Sequence, residues 1–135
     1  MNIAFFLLPK TQVAYLNDHF TIRQALEKMR HHGYTAIPVL DEQGKYVGTV
    51  SEGDFLWHIV DLNRRLESYE MKDMEDCLLK DILGEDKNPP VNIMTSIENL
   101  ISHAMKQNFV PVVDDLDTFI GIVTRQDIIK YFAER

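Results

Sequence analysis

The chain has 135 residues, 45% of them hydrophobic and 26% charged, a soluble globular composition long enough to hold a core without covalent staples. Its formal charge of −7 argues against nucleic acid as the main partner, because binding a phosphate backbone needs a basic face. The single cysteine, Cys77, excludes an internal disulfide and fits a reducing, cytoplasmic setting.

The first segment is apolar from Ile3 to Leu8 and is broken by Pro9 and Lys10. It is too short to span a bilayer and lacks a basic start and a small-residue cleavage site, so it reads as a short helix or arm covering the core, with a partner-binding or dimer-packing arm as the alternative. Ile22, Ala25, Leu26 and Met29 then recur at helical spacing, behind a capping signal of Thr21 with Gln24. Ala36 to Leu40 reads as a strand, "DEQGK" as a polar turn, and Tyr46 to Val50 as the returning strand. A second helix is marked by Phe55, Leu56, Ile59 and Val60. The stretch "LESYEMKDMEDCLLKDILGEDKNPP" is charged, carries an expected helix around Met74 to Leu83, and ends in the linker residues Gly84 and Pro89–Pro90. The order then repeats. Thr95 with Glu98 caps a helix through Ile97, Leu100, Ile101 and Ala104. Val110 to Val113 and Phe119 to Val123 are strands around "DDLD", and Ile128, Ile129 and Phe132 mark the last helix.

The repetition extends to the letters. "PVLDEQGKYVGTVSEGDFL" lies on "PVVDDLDTFIGIVTRQDII" without a gap, and upstream "TIRQALEKMRHHGY" lies on "SIENLISHAMKQNF" after a two-residue shift. The repeated phrase is "GTVSEGD" in one copy and "GIVTRQD" in the other. Gly48 and Gly121 interrupt strands, which marks close approach by a ligand or another chain. Ser51 and Thr124 stand where strand hands over to helix, with Asp54 and Asp127 three residues later. That pattern caps a helix without any ligand. It also offers unpaired N–H groups and a hydroxyl to a phosphate, and a carboxylate to a ribose diol.

Two complete G-h-x-[ST]-x-x-D phrases, each after a helix and a hairpin, resemble a tandem pair of cystathionine-β-synthase (CBS) domains, a Bateman module. The resemblance covers nearly the whole chain. It implies an α/β (α+β) fold of two β-α-β-β-α repeats packed with pseudo-two-fold symmetry: residues 1–68 as arm and first repeat, 69–88 as linker with a short helix, and 89–135 as second repeat. "GYTAIPVLD" and the short arm are most similar to the stand-alone CBS proteins of the cyclic di-AMP-binding CbpB/DarB type. By this resemblance the phrase aspartate holds ribose, the hydroxyl holds ribose or phosphate, and each site borrows from both copies. The main site then groups Thr124, Arg125 and Asp127 with the entering strand residues Val13 and Ala14 and with Tyr34, Thr35 and Ala36. The second, weaker site groups Ser51 and Asp54 with Pro90, Val91, Phe109 and Val110.

Two features separate the sites. "NFVP" is two residues shorter than "GYTAIP", so the second site is expected to lack a counterpart of Thr35 or Ala36. It also carries Glu52 where the first carries Arg125, a cation able to make bidentate phosphate contacts. The cyclic di-AMP type leads one to expect a further basic residue where Gln126 stands, and a lysine where Gln12 stands. His31–His32 point to different helix faces and read as a solvated helix end, Trp57 and Tyr69 as core or dimer surface, and Cys77 as a buried inert thiol in an apolar helix. No metal spacing, Walker loop or catalytic constellation is present, so neither an enzyme nor a cofactor is expected. The expected function is a nucleotide-sensing regulator. By the resemblance its expected ligand is cyclic di-AMP and its expected partner a (p)ppGpp synthetase. The alternatives are an AMP, ADP or ATP sensor and a ligand-free dimerisation module. Phe55, Trp57, Ile59 and Tyr131 are expected to support a homodimer.

Overall fold

The structure is a computed structural model that describes residues 2–66, 71–84 and 88–134. Tyr69 and part of the expected linker lie outside the described residues. The chain divides into two compact units. The C-terminal unit comprises Met1–Val13, Gln43–Tyr46 and Lys87–Arg135, and the central unit Ala14–Glu42 and Val47–Asp86. The mixed α+β fold expected from the repeat is formed, with one sheet per copy.

In the central unit a three-stranded sheet has the order β2 (Leu16–Asn17), β3 (Ala36–Leu40), β4 (Tyr46–Ser51), with β2 parallel to β3. Helix α1 (Ile22–His32) begins in a full capping box, Thr21 with Gln24, and ends at Gly33 in the left-handed conformation at φ 70°. Its inward residues Ile22, Ala25 and Met29 pack with Leu16, Ile37, Val39 and Val50. Helix α2 (Glu52–Leu66) adds Phe55, which is 2% exposed and therefore core; it is not an apolar residue to spare for a dimer.

The helix expected around Met74 to Leu83 stops early: α3 covers Met71–Asp76 and a separate 3-10 turn covers Leu79–Asp81. The reason is competition for backbone groups. The Cys77 carbonyl accepts from the Ile22 amide, and the amides of Leu79 and Lys80 donate to the carbonyls of Phe20 and Asp18. Cys77 thus sits beyond the helix and is half-buried rather than buried. Partial burial, then Asp81, Asp73 and Asp76, push its thiol up from the ordinary value, the direction that disfavours the thiolate.

In the C-terminal unit four strands have the order β1 (Leu8–Pro9), β7 (Phe119–Thr124), β6 (Phe109–Val113), β5 (Val91–Asn92). The apolar arm forms a 3-10 turn over Ile3–Phe6 whose Ile3 and Phe6 enter the core beside Leu100, Val110, Val112 and Val123. It therefore covers a core, as its composition suggested, and that core belongs to the second copy. Its β1 pairs antiparallel with β7, Pro9 opposite Gly121. Gly121 has φ 158°, and a Cβ there would lie 2.2 Å from the Leu8 carbonyl oxygen. The close approach that this glycine signals is made by the chain's own arm.

Helix α4 (Ile97–Ala104) is capped by Ser96, which accepts from the Asn99 amide at 3.1 Å, one residue later than the expected Thr95–Glu98 box. Thr95 is held in a turn, its amide donating to the Asn92 carbonyl, and its hydroxyl accepts from the Asn99 side chain. Ser96→Ala should cost about 1 kcal/mol in urea unfolding and Thr95→Ala clearly less. Equal costs would refute this cap assignment. Helix α5 (Arg125–Ala133) closes the unit.

Candidate functional site

The entering strands β2 and β5 place Leu16 opposite Val39 and Val91 opposite Val112, so these two stations are equivalent. The first copy's strand begins at Leu16, not at Val13 and Ala14; Val13 ends a 3-10 turn over Lys10–Gln12, and its amide bonds the Lys10 carbonyl. The C-terminal unit holds Val13, Pro90, Val91, Phe109, Val110, Thr124, Arg125 and Asp127. The central unit holds Ala14, Tyr34, Thr35, Ala36, Ser51 and Asp54. Each expected residue set therefore draws on both units.

The same strand-to-helix corner is built in each unit. The amide of Glu52 donates to the Thr35 carbonyl at 3.0 Å, and the amide of Arg125 donates to the Asn108 carbonyl at 2.9 Å. Asn108 thus occupies the station of Thr35, and Phe109, which opens β6, that of Ala36, which opens β3. Counterparts that "NFVP" was expected to lack are present. The two-residue difference falls upstream, in the helices: α1 has 11 residues and a glycine C-cap, while α4 has 8 and ends without one.

That shortening gives Arg125 a task that spacing did not reveal. Helix α4 has its final carbonyls uncapped by any glycine, and the Arg125 Nε–H donates to the Ala104 carbonyl at 2.7 Å. Arg125 is half-buried, not a solvated surface arginine. This bond uses one of five guanidinium donors and fixes the plane of the rest. Glu52, at the matching position, is exposed.

The two aspartates also differ. Ser51 and Asp54 are locked together: Asp54 Oδ2 accepts from the Ser51 amide at 2.8 Å and from its hydroxyl at 3.1 Å. In the other copy Thr124 caps α5, its Oγ1 accepting from the Asp127 amide at 3.1 Å. Among the described residues the Asp127 carboxylate accepts no hydrogen bond. It opens on a cavity of about 350 Å³ that is also lined by Phe5, Lys130 and Tyr131. Tyr34 is 46% exposed and stacks on His32, with ring centroids 5.6 Å apart, and Thr35 is exposed.

Among the described residues no group of three His, Cys, Asp or Glu side chains could hold a metal ion, and no helix is long and apolar enough to cross a membrane. The arginine cap was missed because it joins residues 21 apart in the chain. Its one sequence signal was the missing glycine after α4.

Comparison with known proteins places these corners in a family context. The CBS domain model matches residues 7–61 and 79–134. Cyclic di-AMP receptor B of Bacillus subtilis is 29% identical over 93% of this chain and 82% of its own. The CbpB protein of Listeria monocytogenes, solved in complex with c-di-AMP, superposes with a TM-score of 0.85 at 27% identity, over 98% of this chain and 95% of its own. L-aspartate semialdehyde sulfurtransferase of Methanocaldococcus jannaschii is 26% identical over 87% of this chain, but the match spans only 21% of that enzyme. Likewise, the chain spans 13% of the A-adding tRNA nucleotidyltransferase of Aquifex aeolicus.

Proposed function

The chain belongs to the CBS-domain family, and from that premise we propose that it is a nucleotide-sensing regulatory module whose ligand is cyclic di-AMP. The reading rests on one contrast. At the α5 corner a cation is held in place by the Ala104 carbonyl and a carboxylate stands open; at the α2 corner an exposed anion replaces the cation and the carboxylate is engaged in capping. The guanidinium held by the Ala104 carbonyl favours phosphate at the first; at the second the exposed Glu52 stands in its place, and the cation lining the pocket there, Arg30, lies on the other helix. In this assignment Arg125 takes phosphate, Asp127 takes ribose hydroxyls, and Thr124 adds a hydroxyl. Val13, Ala14, Tyr34, Thr35 and Ala36 complete the main set. Ser51, Asp54, Pro90, Val91, Phe109 and Val110 form the weaker one. The similarity to cyclic di-AMP receptor B over most of both chains supports cyclic di-AMP over other adenine nucleotides.

Asp127→Asn keeps the shape of the side chain and removes the anionic acceptor. It should weaken cyclic di-AMP binding by about tenfold in calorimetric titration and lessen the preference over a deoxy analogue. Asp54→Asn should change affinity by less than about threefold, its main effect being an uncharged, weaker acceptor for the Ser51 amide and hydroxyl. Abolition of binding by Asp54→Asn, with Asp127→Asn intact, would place the ligand at the other corner.

The module's output is assigned to a protein partner, of the (p)ppGpp synthetase class by resemblance. It is assigned a homodimeric state. Leu56 and Trp57 are 62% and 65% exposed on α2, and Ile129 is 60% exposed on α5. Of the expected set only Trp57 is exposed: Phe55 is buried, Ile59 is half-buried, and Tyr131 packs half-buried against the core of the C-terminal unit. A monomer mass by light scattering across micromolar concentrations would reject the dimer.

A further inference from the structure

The duplication supplies an internal control for surface residues. Asn17 and Asn92 stand at the same station and make the same turn: each side-chain oxygen accepts from the amide two residues on, His19 at 2.9 Å and Met94 at 2.8 Å. The β3–β4 and β6–β7 turns likewise correspond, so that Leu116 matches Gln43. In the first copy these positions are polar, and His19 faces Glu42 at 3.2 Å. In the second they are Met94 and Leu116, 76% and 73% exposed. The fold therefore does not require large apolar groups here.

The turns that carry them are fixed. Asp114 Oδ1 accepts from the amides of Leu116 at 2.8 Å and Thr118 at 3.0 Å, and the Asn92 amide group donates to Asp115 at 2.9 Å, joining the two turns. Two apolar side chains are thus held out in water within a rim of Asp114, Asp115 and Asp117. The neighbouring cations among the described residues are Lys45, whose backbone bridges to Thr118, and Lys10, whose ammonium lies beside Gly44; three carboxylates stand against these two. The rim is net negative. A second copy of this acidic surface would be repelled, whereas a basic segment would be attracted.

We propose that the joined turns bearing Met94 and Leu116 form a docking surface for a basic segment of a partner protein, anchored by apolar side chains. The surface belongs to the C-terminal unit alone, and its assignment does not depend on which nucleotide is bound. Apolar anchors in a charged rim give affinity through the anchors and encounter rate through the rim.

The probe is a labelled lysine-rich helical peptide with leucines along one face, beside a counterpart with serine for each leucine, titrated by anisotropy against the full chain. The wild type should prefer the leucine peptide by about fivefold or more. Met94→His with Leu116→Gln, which installs the first copy's residues, should remove most of that preference without lowering the melting temperature. Asp117→Asn, which asparagine tolerates at φ 63°, should weaken both peptides and flatten their salt dependence. Equal binding of the two peptides by the wild type overturns the proposal. So does an undiminished preference in the double variant, or loss of self-association as its sole effect, which would assign the surface to a second copy.

Discussion

Replacing Arg125 with methionine should weaken cyclic di-AMP binding by about tenfold or more and also lower the stability of the fold by about 1 kcal/mol. The two effects have separate causes. Loss of the proposed charge-assisted phosphate contact should weaken binding, while loss of the Nε–H donor leaves the Ala104 carbonyl at the end of α4 without its cap. Arg125→Lys separates them. An ammonium group keeps the charge but cannot serve a carbonyl and a phosphate along one rigid plane, so only part of the affinity should return. Titration in low and high salt reads the phosphate contact; urea unfolding without ligand reads the cap. Unchanged stability in Arg125→Met would remove the capping role, and unchanged affinity would remove the phosphate role.

The largest stability effect is expected at Gly121. A methyl group there meets the Leu8 carbonyl oxygen at 2.2 Å and must also adopt φ 158°, so Gly121→Ala should cost about 2–4 kcal/mol. Both strain and displacement of β1 contribute, and the arm amides should exchange faster while those of the central unit keep their protection. Gly48 is the internal comparison. Its φ of 155° is similarly unfavourable, but an added Cβ meets Leu83 Cδ2 at an ordinary 3.6 Å. Gly48→Ala should therefore cost about 1–2 kcal/mol. Equal costs at the two glycines would mean that the backbone conformation, rather than the arm, is what Gly121 serves.

The parts of the fold that were legible in the letters are those set by local pattern. Helical spacing located α1, α4 and α5, the apolar runs located β3, β4, β6 and β7, and the repeat aligned them. The misplacements have tertiary causes. Thr95–Glu98 satisfies a capping-box pattern, yet the Asn92 turn takes up Thr95 and moves the cap to Ser96. The helix expected through Leu83 ends at Asp76 because the residues after it bond to the segment Asp18–Ile22. At the candidate site the hydroxyl, acid and cation were visible in "GIVTRQD". The use of Arg125 by α4 was not visible, nor was the engagement of Asp54 by Ser51, because both depend on which donors and acceptors the folded chain has already satisfied. Those two bonds also replace loop length as the reason to expect unequal sites.

The central claim is that this module binds cyclic di-AMP, and a thermal-shift panel of cyclic di-AMP, cyclic di-GMP, AMP, ADP and ATP tests it most directly. At a hundred times its dissociation constant a ligand stabilises the folded state by about 2.7 kcal/mol, so cyclic di-AMP should raise the melting temperature clearly and at the lowest concentration of the five. Arg125→Met should need about tenfold more ligand for the same shift, measured from its own baseline. A shift by AMP, ADP or ATP at lower concentration than cyclic di-AMP would make the chain a sensor of those nucleotides instead. No shift by any of the five would contradict the nucleotide-sensing account and leave a structural dimerisation module.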